Sequence, residues 1–287
     1  MDKMRTAIIG GTGLYQIDDI TITKSMDVKT PFGNPSDSIK FARFDNTEVA
    51  FLPRHGVGHR LLPSEIPVKA NIWALKKLGV QRILSISAVG SLKEEIKPRD
   101  IVIPDQIIDR TKMRDNSFFG NGVAGHVSFA DPFCADLSKL LYETVKSLGY
   151  RVHKNETYVC MEGPLFSTRA ESKLYRSWGG GVIGMTALPE AKLVREAEIC
   201  YGMLALSTDY DCWKEDEEDV TIEMVVENLK ANTKAAGRII KRFIEKLPEV
   251  APCRCNEAAK YALITDKSLI PASVKEDLSL FYSKYWD

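Results

Sequence analysis

Along the 287-residue chain, short apolar runs alternate with amphipathic stretches, and several runs stop abruptly on polar clusters. The first run, Thr6 to Ile9, passes straight into Gly10-Gly11-Thr12-Gly13. Ile39–Phe44 and Glu48–Leu52, joined through Asp45-Asn46, have the pattern of a β-hairpin. Ser64 stands where an N-cap would, ahead of a helical stretch from Glu65 to about Leu78, with Gly79 as its stop. Arg82–Ile86, Thr157–Met161, Val182–Met185 and Tyr201–Thr208 read as further strands. Helices are expected from Asp131-Pro132 to near Gly149, around Thr168–Trp178 and Pro189–Ile199, and from a Thr221 cap to about Lys246. Pro271 opens a last helix. No repeat or low-complexity linker divides the chain, so the pattern predicts one α/β domain over residues 1–250. Residues 251–287 form a tail packed on that domain.

The run Tyr201–Leu206 has the density of a buried strand, and Ser207-Thr208-Asp209-Tyr210-Asp211 follows at once. Ligands of open α/β sheets bind beyond the carboxyl ends of the strands. If the extended geometry continues, Asp209 and Asp211 share one face. Two neighbouring carboxyls can divide labour, one protonated and donating, the other ionised and accepting. That pairing suits a ring with an acceptor nitrogen beside an exocyclic amine, as in adenine. A solvated Asp-rich turn has the same local composition.

Three further strand ends carry groups suited to an anion. The glycines of Gly10-Gly11-Thr12-Gly13 let backbone N–H groups approach closely, and Thr12 adds a hydroxyl. Gln16 occupies the place of the third glycine of a dinucleotide fingerprint, so that reading is rejected, while a plain tight turn stays open. Arg54-His55-Gly56 supplies a guanidinium fork matched to phosphate oxygens. Ser87-Ala88-Val89-Gly90-Ser91 supplies small donors. Together they predict a phosphate pocket.

Charge removes some partners. Lys+Arg and Asp+Glu both number 39, so nothing electrostatic favours nucleic acid or an anionic membrane. No run approaches the roughly 20 apolar residues of a membrane helix, and the N-terminus reads as no signal peptide, so a cytoplasmic address is expected. The four histidines form no ligand spacing with the six cysteines and no Cys-x-x-Cys occurs, so no metal is expected.

Taken as a set, Gly10–Gly13, Thr30-Pro31-Phe32-Gly33, Arg54-His55-Gly56, Ala70–Leu75, Gly90-Ser91-Leu92, Glu162-Gly163-Pro164, Met185-Thr186 with Pro189-Glu190, and Thr208–Trp213 resemble the trimeric purine nucleoside phosphorylases. The resemblance covers roughly residues 5 to 245. It implies a mixed sheet closing into a distorted barrel flanked by helices. It also implies phosphorolysis of an N-glycosidic bond, in which phosphate attacks the ribose anomeric carbon as the purine leaves. No cofactor is then needed, and inorganic phosphate is a co-substrate. By the family pattern, phosphate is held by Thr12, Arg54, His55, Ser87, Ala88 and Thr186, and ribose lies against Phe166 and Met185. Asp209 acts at N7, beside Thr208, and Asp211 at the 6-amino group.

Within that resemblance, Ser167 and Asp209 stand where 6-oxopurine enzymes carry Glu and Asn, which favours a 6-aminopurine. Ile222 replaces a histidine that meets the 5′-hydroxyl. Val225 and Val226 follow on one helix face, which suits a 5′-alkylthio group as well as plain core packing. The implied reaction is phosphorolysis of 5′-methylthioadenosine to adenine and 5-methylthioribose 1-phosphate. The alternative is a broader purine nucleoside or methylthioinosine phosphorylase. Leu165 replaces an arginine and Gly184 an asparagine; Gly184 matches the oxopurine branch and leaves inosine-type substrates open. The pattern also places His126 in a neighbouring subunit's pocket, implying a homotrimer or a dimer of trimers. Cys134 and Cys200 match positions that can lie close, and Cys253 and Cys255 can bridge one another. In a reducing cytosol all are expected as thiols.

Overall fold

The structure, a computed structural model, describes residues 5–11, 21–44, 47–214, 222–248 and 253–286, without the side chains of residues 21 and 222–226. Among the described residues nine strands form one mixed sheet: β1 (Thr6–Gly10), β2 (Thr21–Met26), β3 (Ile39–Phe44), β4 (Thr47–Pro53), β5 (Arg82–Ser91), β6 (Ile101–Arg110), β7 (Val152–Met161), β8 (Gly180–Gly184) and β9 (Cys200–Asp209). Their order is β2-β3-β4-β1-β5-β8-β7-β6-β9, and β9 pairs back onto β5. The strands β5, β8, β7, β6 and β9 therefore close a ring, and β1 to β4 extend from it as an open wing. This is the barrel implied by the sequence resemblance.

Strand β5 organises the sheet. It runs parallel to β1 and to β9, with Arg82 opposite Cys200 and Val89 opposite Ser207. Strands covered on both faces read as continuous apolar runs rather than alternating ones. β1 and β9 obey this: every residue of each is buried. Ile8 packs on one side of β1 with Leu141, Ile240 and Phe243, whereas Ala7 and Ile9 pack on the other with Ile72, Leu75 and Leu193.

Six α-helices among the described residues surround the sheet: α1 (Val68–Lys77), α2 (Ala135–Ser147), α3 (Arg169–Ser177), α4 (Glu190–Glu196), α5 (Ile222–Glu245) and α6 (Ala272–Tyr282). Helix α3 begins where expected: Thr168 caps it, its side chain accepting from the Glu171 N–H in a reciprocal capping box. Helix α1 does not. Residues 63–65 form a separate 3₁₀ turn, because Pro67 forces Ile66 into extended backbone and the α-helix can only start after it. Helix α2 likewise starts at Ala135, after Cys134, rather than at Asp131-Pro132.

Strand β6 has no counterpart in the sequence reading. Pro104 interrupts it, and the pairing with β7 shifts register on both sides of that residue. Proline cannot donate to a ladder and is accommodated at such irregularities. Asp45, Asn46 and Thr221, expected as a hairpin turn and a helix cap, lie outside the described residues. Ala259, Ala262, Ile270, Leu278, Phe281 and Tyr282 of the C-terminal segment enter the same core cluster as Ala7 and Ile9.

Candidate active site

At the carboxyl ends of β1, β4, β5 and β9 the barrel mouth opens into a cavity of about 440 Å³, within the usual range for small-molecule sites. Gly11, Arg54, His55, Ser87, Ala88, Phe166, Met185, Thr186, Thr208, Asp209 and Asp211 all line it. The topology explains their convergence: parallel neighbours deliver their last residues to one end of the sheet.

The two carboxyls meet, but not by continued alternation. Strand β9 stops at Asp209, Tyr210 turns the chain, and Asp211 sits at a left-handed φ of 50° in a 3₁₀ turn. The turn allows the Asp211 N–H to donate to Asp209 Oδ1 at 2.8 Å. Thr208 Oγ1 lies 2.6 Å from Asp209 Oδ2 and 3.1 Å from the Val89 carbonyl. Each carboxyl oxygen has two acceptor sites, so a purine contact can be added to these bonds.

Burial raises the pKa of Asp209 even against its bonds from Thr208 and Asp211. Burial also pushes the Asp211 carboxyl up to about 6, with the Asp209 charge adding to the effect. The Ser172 and Ser167 hydroxyls offset part of that rise, and among the described residues Asp211 Oδ2 is buried with no hydrogen-bond partner. Gly90 pairs with Asp209 at a register shift, and a Cβ on Gly90 would lie 2.9 Å from Asp209 Oδ1. Only a glycine leaves room for this carboxyl.

The opposite wall carries hydroxyls and a buried ion pair. Ser87 Oγ and Thr186 Oγ1 are 3.1 Å apart. Arg54 is 2% exposed, and the expected open fork is not what the structure shows. Nε and Nη2 grip both oxygens of Glu190 at 2.9 and 3.1 Å, and Nη2 also reaches Ser85 Oγ at 2.7 Å. Nη1 donates to the Ile86 carbonyl at 2.9 Å. Among the described residues the second Nη1 N–H alone has no partner, so what remains for an anion is one N–H rather than a bidentate face. Glu190 is completed by Ser85 Oγ at 2.7 Å and the Tyr201 hydroxyl at 2.8 Å. Buried charges are held in this way only when paired and hydrogen-bonded.

His55 lies beside this pair. Burial, with the Arg54 charge adding, pulls its pKa down to about 4. Its Nδ1 is 2.8 Å from the Leu61 carbonyl, and a carbonyl only accepts, so the neutral ring carries its proton there and Nε2 is an acceptor. The ring stacks on His59 at 4.1 Å.

Several expected residues stand apart. Thr12 lies outside the described residues, as do the side chains of Ile222, Val225 and Val226 at the start of α5. His126 is exposed and does not line the cavity of its own chain. Ser167 is half-buried, with Oγ 3.6 Å from the Met161 sulfur, and is also not among the lining residues. Phe166 lines the cavity yet is 59% exposed, and Leu165 beside it is 82% exposed. Gly184 has a physical reason: a Cβ there would lie 2.0 Å from the Tyr158 hydroxyl, so Tyr158 fills the space of an asparagine.

The sequence reading did not select His59, Leu62, Pro63, Leu229 and Thr233, which also line the cavity. Leu229 and Thr233 are one helical turn apart on α5 and continue the spacing begun by Ile222 and Val226. Nothing local marks His59, which reaches the cavity through a left-handed φ of 55°.

A barrel of this topology with this cavity at its mouth defines a phosphorylase-type protein. Residues 5–245 match the model of the Phosphorylase superfamily, and the chain belongs to that superfamily. It is 54% identical over 279 residues to S-methyl-5′-thioadenosine phosphorylase of Geobacter sulfurreducens, covering 97% of this chain and 98% of that one. The enzyme of the same name from Gloeobacter violaceus is 51% identical over 288 residues, covering 99% and 96%. A solved methylthioadenosine phosphorylase from an antarctic soil metagenomic library superposes with a TM-score of 0.93 at 46% identity, covering 98% of this chain and 99% of that one. A mutant adenosine/methylthioadenosine phosphorylase from Schistosoma mansoni, in complex with methylthioadenosine, gives 0.83 at 34% identity, covering 90% and 96%.

Proposed function

We propose that the chain catalyses phosphorolysis of 5′-methylthioadenosine, giving adenine and 5-methylthioribose 1-phosphate. The observation that carries this reading is the placement of two carboxyls with raised pKa values in one cavity with the Ser87–Thr186 hydroxyl pair and the buried Arg54.

Phosphate occupies the hydroxyl wall, taking donors from Ser87, Thr186 and the free Nη1 N–H of Arg54; Thr12, Ala88 and His55 complete its surroundings. A phosphate O–H donates to His55 Nε2, which turns an oxygen of the nucleophile towards the sugar. The C1′–N9 bond breaks and its electron pair passes into the purine. A phosphate oxygen forms the new bond to C1′ as positive charge develops on the ribose. Protonated Asp209 gives its proton to N7, and Asp211 as a carboxylate accepts from the 6-amino group. Burial raises the pKa of Asp209, which favours the protonated form that this step draws on. Met185 and Phe166 cover the ribose, and Ile222, Val225, Val226 and Leu229 receive the methylthio group. Phosphate is the only co-reactant this scheme requires.

The reading includes a cytoplasmic homotrimer. The exposure of Phe166 and Leu165 beside the cavity supports a covering partner, and His126 of a neighbouring copy is assigned to the 5′ end. Initial rates with methylthioadenosine, adenosine and inosine in phosphate buffer test the specificity. Methylthioadenosine should have the highest kcat/KM. Inosine cleaved as fast as methylthioadenosine would replace this reading with the broader purine phosphorylase.

A further inference from the structure

Four cysteines from three separate stretches of the sequence converge at the base of the barrel. Cys134 precedes α2, Cys200 opens β9, and Cys253 and Cys255 flank Arg254 in the C-terminal segment. Their four Sγ atoms lie within 4.8 Å of one another, and among the described residues no other group of His, Cys, Asp and Glu is placed to hold a metal. Cys134, Cys200 and Cys255 are buried and Cys253 is half-buried.

We propose that these thiols form a structural tetrathiolate site for one zinc ion. Four sulfurs at about 2.3 Å around a tetrahedral zinc are about 3.8 Å from each other. The Cys134–Cys253 separation of 3.9 Å is close to that edge, whereas a disulfide needs about 2.05 Å. A closed all-thiolate tetrahedron selects zinc over oxygen-seeking cations.

Binding releases the four thiol protons to solvent and leaves a net charge of −2 on the centre. Arg82 interacts electrostatically with Cys134, Cys200 and Cys253, and Arg195 with Cys255, so two cations offset that charge. The Cys-x-Cys spacing is shorter than the usual zinc knuckle. Here Cys253 is extended (φ −130°, ψ 147°) ahead of a 3₁₀ turn, which brings both sulfurs to one point.

The site would tie the C-terminal segment to the barrel. That segment also holds the loop carrying His126: the His126 N–H donates to the Ala262 carbonyl at 2.9 Å, and Gly125 pairs with Leu263. Metal binding at the cysteines therefore bears on the proposed 5′ side of the cavity through the tail.

The test is zinc content and thiol titration of the protein purified without added metal and without chelator. About one zinc per chain is expected, released as a mercurial reagent titrates four of the six thiols. Cobalt(II) replacing zinc should give the visible bands of a tetrahedral tetrathiolate. A Cys253→Ser/Cys255→Ser double variant, folded by circular dichroism, should lose the metal and become cleavable by protease near residue 250. Six free thiols with no uptake of zinc or cobalt would overturn the proposal. So would disulfides among these four cysteines in the purified protein.

Discussion

Replacing Asp211 by asparagine should stabilise the protein, and only above mildly acidic pH. The side chain is largely buried, Oδ2 has no hydrogen-bond partner among the described residues, and the backbone φ of 50° suits asparagine as well as aspartate. In the unfolded chain the carboxyl ionises near 3.8, whereas in the fold it does so near 6. The folded state therefore binds the extra proton between those values, and its relative stability is fully present below 3.8 and lost as pH rises through about 6. Above that the fold must hold a buried carboxylate. The difference corresponds to about 3 kcal/mol as a ceiling, taking about 1.36 kcal/mol per tenfold change in proton affinity. Asparagine carries no such charge. The variant should gain about 2–3 kcal/mol at pH 7.5, roughly half that near pH 5, and nothing at pH 3.5. Urea unfolding at several pH values and one fixed protein concentration reads this directly as midpoint shifts at constant slope. A gain that does not change with pH, or a loss at pH 7.5, would refute the reasoning. Natural sites retain such a cost where function needs the group.

Asp209→Ala should lower kcat by about 10²–10⁴-fold with a smaller change in KM, and Asp209→Asn should lose adenine substrates while sparing 6-oxopurines; near-normal methylthioadenosine turnover in both would remove Asp209 from the mechanism. Arg54→Met should cost about 3–5 kcal/mol in stability, because Glu190 is left charged and buried with only Ser85 and Tyr201 as donors, and should raise the phosphate KM; denaturant unfolding and phosphate kinetics check each part. Gly90→Ala should displace the Asp209 carboxyl and lower kcat by up to about 10²-fold with little change in methylthioadenosine KM, and unchanged kcat would show that the close approach is dispensable. His126→Ala should raise the methylthioadenosine KM, and a species that sediments as a fully active monomer at assay concentration would contradict the shared site.

The parts of this protein written as local pattern were readable in advance. β1 and β9 show continuous apolar runs because both of their faces are covered, and Thr168 with Glu171 spells out its own cap. β6 was not readable, because Pro104 breaks the pattern that the ladder later restores around it. Ser207–Asp211 announces the carboxyl pair but suggests continued extension, whereas the turn at Tyr210 is held by contacts to Glu94 and Trp213 that the local pattern does not encode. Arg54 was identified as an anion group from its type and position. That Glu190 holds its fork is a contact across 136 positions of sequence, which no local spacing encodes. Of the cysteine cluster the resemblance implied two separate pairs, Cys134 with Cys200 and Cys253 with Cys255, and that the two pairs meet is again a long-range contact. Metal-ligand spacing is recognisable only when two ligands share a short loop of the usual length, and here Cys-x-Cys is too short and its partners come from β9 and the start of α2.

Phosphate, not water, is the nucleophile in the proposed reaction. Methylthioadenosine is incubated with the enzyme in phosphate-free buffer and again with phosphate, and adenine is followed by chromatography while ³¹P resonance follows the sugar ester. No appreciable adenine is expected without phosphate, and with it one 5-methylthioribose 1-phosphate for every adenine released, formed with inversion at C1′. Adenine released at the same rate in both buffers, with free methylthioribose as the other product, would contradict it.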